Sequence, residues 1–159
     1  MTALYVESSV VLTWLLEQPR SEEVLASIND ADAVVTSALT FAETGRALVR
    51  AEETKRLRAA EAQKLRGLLQ RARAGWITMV ISEEVMSRTV RPFPIEPVRT
   101  LDAIHLATML EFIKVFPDLE ILSFDTRILD NATALGLGIA LERPGGDFKP
   151  SVKRKVRRK

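Results

Sequence analysis

Four acidic side chains occupy places where a folded chain usually puts hydrocarbon or a turn. Glu7 follows the β-prone run Leu4-Tyr5-Val6, and Glu43 lies one turn into a helical stretch. Asp102 sits inside Thr-Leu-Asp-Ala-Ile-His-Leu-Ala-Thr, residues 100–108, and Asp125 ends the run Glu120-Ile121-Leu122-Ser123-Phe124. At about 100° per residue, Leu101, His105, Leu106, Met109, Phe112 and Ile113 form an apolar stripe with Asp102 near its middle. An unpaired carboxylate buried there costs several kcal/mol or becomes neutral, so a cation, a helix terminus or a metal is expected beside it. If the strands before Glu7 and Asp125 are neighbours, these two acids share one sheet edge, with Asp102 and Glu43 brought towards them by helices. Carboxylates crowded in this way repel and partly protonate unless a cation sits among them. An all-oxygen donor set selects a hard ion, Mg²⁺ or Mn²⁺, which activates water and clamps a phosphate oxygen.

Each acid also has an ordinary reading. Thr100 would cap a helix whose dipole favours Asp102 by about 0.3–1 kcal/mol. Glu43 would pair with Arg46 on a solvated face for about 0.2–0.5 kcal/mol. Asp125 would make an Asx turn. Glu7 is harder to dismiss, because glutamate is a poor strand and cap residue. Residue types and spacing alone therefore give an acidic pocket. Other chemistries are limited by what is missing: there are no cysteines, and His105 is the only histidine. A thiolate site is excluded, and a Ser-His-Asp triad would rest wholly on a histidine whose place on the apolar stripe suits a core residue.

The elements that position these acids alternate. Leu4–Val6 and Ala33–Thr36 read as strands, the second continuously apolar, as a parallel sheet covered on both faces requires. Helices are expected over Val10–Glu17, stopped by Pro19, from Ser21 through Ile28, over Leu39–Glu53 and over Lys55–Ala74. Trp76–Ile81 is a third strand, Ser82-Glu83-Glu84 starts a helix, and the proline-rich 91–97 segment is a rigid connector into the helix carrying Asp102. Glu120–Phe124 is the best strand. Arg127–Leu135 is a helix closed by Gly136, and Ile139–Leu141 is the last strand. Strand and helix in alternation predict an α/β sandwich, a central mostly parallel sheet of 4–5 strands flanked by helices. In such a sheet ligands bind beyond the carboxyl ends of the strands, where Glu7 and Asp125 stand.

Length and a hydrophobic content of 47% over 159 residues suit one domain with a real core, over residues 1–146, followed by a basic, disordered tail over 147–159. The seven bases of residues 149–159 turn a net charge of −5 over residues 1–148 into the chain's +2. Such a tail either contacts RNA phosphates or is a solvated extension; no aromatic is interleaved for base stacking. No basic segment precedes an apolar run at the N-terminus, and nothing approaches the roughly 18–20 apolar residues of a membrane span. A cytoplasmic protein without membrane contact is expected.

Taken together, Tyr5-Val6-Glu7-Ser8-Ser9-Val10-Val11-Leu12, the Glu43 of Ala42-Glu43-Thr44, the run Arg99 to Ala107 and Leu122-Ser123-Phe124-Asp125-Thr126-Arg127 resemble the successive acidic motifs of PIN domains, most closely those of VapC-type toxins. The resemblance spans the chain from Ala3 to about Pro144. It implies a Mg²⁺- or Mn²⁺-dependent endoribonuclease in which Glu7, Glu43, Asp102 and Asp125 hold metal, Ser8 and Ser123 support the site by hydrogen bonds, and a metal-activated water attacks the RNA phosphodiester. It also implies a homodimer and a cognate antitoxin that silences the enzyme. The family's first acid is normally aspartate. Glu7 places its carboxylate about one bond, roughly 1.5 Å, farther out, which opens the alternative of a weakened or inactive PIN-fold module that binds antitoxin or RNA. A phosphate-signalling receiver domain also sets acids at parallel strand ends. It wants an acidic pair after strand one and a lysine at a late strand end, and neither is present.

Overall fold

The computed structural model describes residues 1–142. Five strands and seven helices follow one another as β1 (Ala3–Val6), α1 (Ser8–Leu15), α2 (Ser21–Asp30), β2 (Ala33–Ser37), α3 (Ala38–Glu53), α4 (Ala59–Gly75), β3 (Ile77–Met79), α5 (Glu83–Thr89), α6 (Thr100–Phe112), β4 (Glu120–Leu122), α7 (Thr126–Ala134) and β5 (Gly138–Ile139). The sheet order is β3-β2-β1-β4-β5 and every pairing is parallel. From β1 the chain steps outward through β2 and β3, then crosses back to β4 and β5. The switch in direction falls between β1 and β4, where an open parallel sheet leaves a crevice at its carboxyl edge. Register there is tight: Val6 pairs with Leu122, and the Glu7 amide donates to the Leu122 carbonyl at 3.1 Å. Glu7 and Asp125 therefore emerge side by side.

Alternation along β1 divides the interior. Ala3 and Tyr5 join a core with residues of α5, α6 and α7, among them Val85, Leu106, Met109 and Ile128. Leu4 and Val6 join a second core with Val10, Val11, Val24, Leu48 and Leu69 from α1 to α4. A strand buried on both faces must be apolar at every position, which explains the continuous hydrophobic runs. Because Glu7 keeps extended backbone (φ −101°, ψ 159°), the period of two that turns Tyr5 towards α6 turns Glu7 the same way.

Element ends depart from the expectations at identifiable residues. Helix α1 stops at Leu15, ahead of Glu17 and Pro19, because Glu17 (φ 49°) and Arg20 (φ 74°) take left-handed backbone. Lys55 (φ 62°) does the same between α3 and α4, so the fourth helix starts at Ala59 and not at Lys55. Strands β3, β4 and β5 are shorter than expected; β4 ends before Ser123 because Ser123 and Phe124 bond to the site and not to a ladder. Helix α6 is buried all round from Ala103 to Met109 while Leu101 is 46% exposed, so the expected stripe is a wholly enclosed segment. Its N-cap position is Arg99, without a side-chain cap bond, so Thr100 is not the cap. The tail expected over 147–159 lies outside the described residues.

The proline-rich connector sets where α6 begins. Glu96 accepts from the Phe93 and Val98 amides at 2.9 and 2.6 Å. Buried Asn131 of α7 grips the Ile95 peptide at both ends, accepting from its amide at 2.9 Å and donating to its carbonyl at 3.0 Å. Asn131→Ala leaves that peptide unpaired and is expected to cost about 1–3 kcal/mol, read by urea denaturation monitored by circular dichroism.

Candidate active site

At the carboxyl end of β1, Glu7 is 4% exposed and its carboxylate is enclosed by donors. Oε1 accepts from the Ser8 hydroxyl at 2.6 Å, and Oε2 accepts from the Ser9 amide at 3.1 Å, the Ser9 hydroxyl and the Ser123 hydroxyl at 2.9 Å. Against the expectation that glutamate is a poor cap residue, Glu7 is the N-cap of α1, its side chain accepting from the Ser9 amide where the helix dipole favours an anion. The segments after the parallel strands β1 and β4 are joined by the same groups: the Phe124 amide donates to Ser9 Oγ at 3.0 Å, while within the second segment the Asp125 amide donates to Ser123 Oγ at 3.1 Å. Ser8 and Ser123 thus sit on Glu7. Ser9 contributes two further donors, which the sequence reading missed, although its place two residues into the Glu7 cap offers a signal for it.

Glu43 reaches the same spot from α3. Its Oε1 receives the Ser8 hydroxyl at 3.1 Å and lies 2.6 Å from His105 Nε2, so it does not pair with Arg46. His105 is 1% exposed, and its Nδ1 is 2.8 Å from the Tyr5 hydroxyl. Burial, followed by the negative charges of Glu7 and Glu43, holds the Tyr5 hydroxyl pKa well above its ordinary value. His105 is therefore more than a core histidine. It lies one turn after Asp102, at the i,i+3 spacing that puts both side chains on one face, and that spacing was legible in the sequence.

Asp102 is the electrostatic outlier. Its pKa is raised, first by desolvation, then by the charge of Asp125 and, beyond the opposing Arg127, by that of Glu7. Its Oδ2 is buried without a hydrogen-bond partner. Asp125 caps α7, with Oδ1 accepting from the Arg127 and Ile128 amides at 2.9 and 3.2 Å. The Asx turn is thus present and uses one oxygen of the carboxylate.

The donor set fits a hard divalent cation. Among the described residues, Glu43 Oε2, Asp125 Oδ2 and the buried Asp102 Oδ2 carry no hydrogen bond, so three carboxylates each keep an oxygen for a ligand. Among the described residues, the one group with a potential ligand atom each within 4.8 Å of one another is Glu7, Glu43 and His105; the structure does not bring Asp102 and Asp125 into it. In that trio His105 Nε2 stands 2.6 Å from Glu43 Oε1, at hydrogen-bond distance from a carboxylate oxygen.

Residues 4–134 match the PIN domain family. The chain belongs to the PIN-domain family. This PIN domain is 30% identical over 140 residues to the ribonuclease VapC46 of Mycobacterium tuberculosis, covering 87% of this chain and 97% of that protein. The fold is shared with the crystal structure of M. tuberculosis VapC20, a sarcin-ricin loop cleaving toxin, at a TM-score of 0.60 and 16% identity, covering 89% of this chain and 99% of that one. It is shared also with FitAB bound to the IR36 DNA fragment, at a TM-score of 0.62 and 14% identity over 90% and 99%. A toxin–antitoxin complex from Klebsiella pneumoniae aligns at 0.56 and 19% identity over 88% and 98%. No helix among the described residues is long and apolar enough to cross a membrane.

A carboxyl whose folded pKa lies above its unfolded value makes the folded state bind the extra proton, so its burden on stability is absent at low pH and grows as pH rises past the unfolded pKa. In metal-free protein, Asp102→Asn is therefore expected to raise the melting temperature at pH 7 and to gain little at pH 3.5. Scanning calorimetry in a chelator checks both.

Proposed function

We propose that this PIN domain is a Mg²⁺- or Mn²⁺-dependent endoribonuclease of the VapC toxin type, acting in the cytoplasm as a homodimer and silenced by a cognate antitoxin. The observation that carries the reading is the convergence of carboxylates at the β1–β4 switch point, with a buried Asp102 oxygen left unpartnered. Glu7, Glu43, Asp102 and Asp125 would hold the ion directly or through water, with Glu7 and Glu43 already within 4.8 Å of one another and Asp102 and Asp125 lying outside that group. Bound there, a divalent ion supplies an activated water and neutralises charge building on a phosphodiester.

The chain's own residues do the rest. Ser8, Ser9 and Ser123 fix the Glu7 carboxylate, and the Ser8 contact to both glutamates keeps Glu7 within reach of Glu43 despite its extra methylene. That contact favours an active site over a module disabled by Glu7. Arg127, exposed on the first turn of α7 and felt electrostatically by Asp102, offers a cation to RNA phosphate at the rim. Beside Ser9, a groove of about 620 Å³ runs between α1 and α3, floored by Leu12, Leu16 and Leu57 and edged by Arg50 and Arg56. Its apolar floor and basic edge suit an antitoxin segment carrying apolar and acidic side chains.

Cleavage of a mixed RNA substrate with Mn²⁺ tests the reading. Chelator should abolish it, and Asp102→Asn should lower the rate by at least about 10²-fold, since a displaced or missing site group costs that much. Cleavage indifferent to both would overturn it.

A further inference from the structure

We infer that His105 is a positioning residue that aims Glu43 at the metal, and that its tautomer is set by Tyr5. The inference rests on the proposed metal site and adds a residue to its working parts. Glu43 sits on a partly exposed helix face, and a glutamate has three rotatable bonds with which to turn away. Its Oε1 has His105 Nε2 at 2.6 Å, and the Ser8 hydroxyl, whose single proton is shared with the nearer Glu7 Oε1 at 2.6 Å, stands 3.1 Å away. Oε2 alone is left to meet a cation.

A donor can do this only if its proton is on the right nitrogen. The Tyr5 hydroxyl keeps its proton and has His105 Nδ1 at 2.8 Å, so Tyr5 donates to Nδ1 and the imidazole hydrogen is carried on Nε2, facing Glu43. Tyr5 is itself immobile. It is fully buried on the central strand, its ring is edge-on to His105 at 6.1 Å and 86°, and it packs against Phe112 at 6.1 Å. A rigid strand thus orients an imidazole, which orients a carboxylate. Partners of metal-binding carboxylates in this position typically change metal affinity by about 10–100-fold when removed.

Calorimetric titration of Mn²⁺ into the full chain tests this, with melting temperature as the folding control. His105→Leu should weaken Mn²⁺ binding about 10–100-fold, and His105→Gln, which keeps an N–H donor, should recover most of the loss. In a Glu43→Ala background His105→Leu should cost nothing further, which a merely structural role would not produce. Because His105 is the only histidine, ¹⁵N-histidine spectra read its tautomer directly. The Nε2–H form is expected in wild type and a mixture in Tyr5→Phe, a variant that removes one atom and preserves packing. Mn²⁺ binding unchanged in a folded His105→Leu, an equal loss with Glu43 already removed, or an Nδ1–H tautomer would each overturn the inference. Binding that ignores Glu43→Ala would sink the ligand assignment itself.

Discussion

Like charges held close in a medium that screens them poorly are the constraint on which this molecule depends. Glu7, Glu43, Asp102 and Asp125 come from separate elements towards one sheet edge, and the Asp102 pKa is raised, first by burial and then by the charges of Asp125 and Glu7. The protein relieves the repulsion unevenly. Glu7 is surrounded by serine donors at a helix N-terminus, Glu43 has an imidazole and Asp125 has two helix amides. Asp102 is left with a buried oxygen and no partner. That shortfall is what the proposed cation would relieve.

The fold meets this demand through a parallel sheet whose strand order reverses at its centre. At that reversal β1 and β4 lie next to each other with their ends aligned, so acids distant in sequence become neighbours without either strand bending. The two hydrophobic cores that clamp β1 from opposite faces make its end a fixed point. Helix α6, enclosed on all sides, brings Asp102 and His105 in on a rod that has no room to roll. Rigid elements bearing polar tips are what metal and phosphate chemistry requires, because small displacements there are costly in rate.

Glu7 shows how the arrangement absorbs a departure from the family's usual aspartate. The longer side chain is turned into a cage whose donors, Ser8, Ser9 and Ser123, come from the ends of the two neighbouring parallel strands. Ser8 at the same time touches Glu43, so the displaced carboxylate stays coupled to its neighbour. The same hydroxyls therefore join the strand ends, cap α1 and orient two acids.

Much of the fold was written locally. Continuous apolar runs marked β1 and β2 as doubly covered strands, and the alternation of strand and helix marked the parallel sheet, because burial and backbone pairing impose their periods on any sequence that obeys them. The acids at strand ends stood out for the same reason, since Glu7 and Asp125 break those periods where a turn should begin. Helix ends at Leu15 and Ala59 were not legible, because Glu17, Arg20 and Lys55 take left-handed backbone without a glycine to mark it. Tertiary structure alone decided that α6 is enclosed all round from Ala103 to Met109 and that His105 spends its two nitrogens on Tyr5 and Glu43. These last contacts span 62 and 100 residues, and a hydrogen bond's partner is set by where the chain returns in space, which residue type and spacing do not encode.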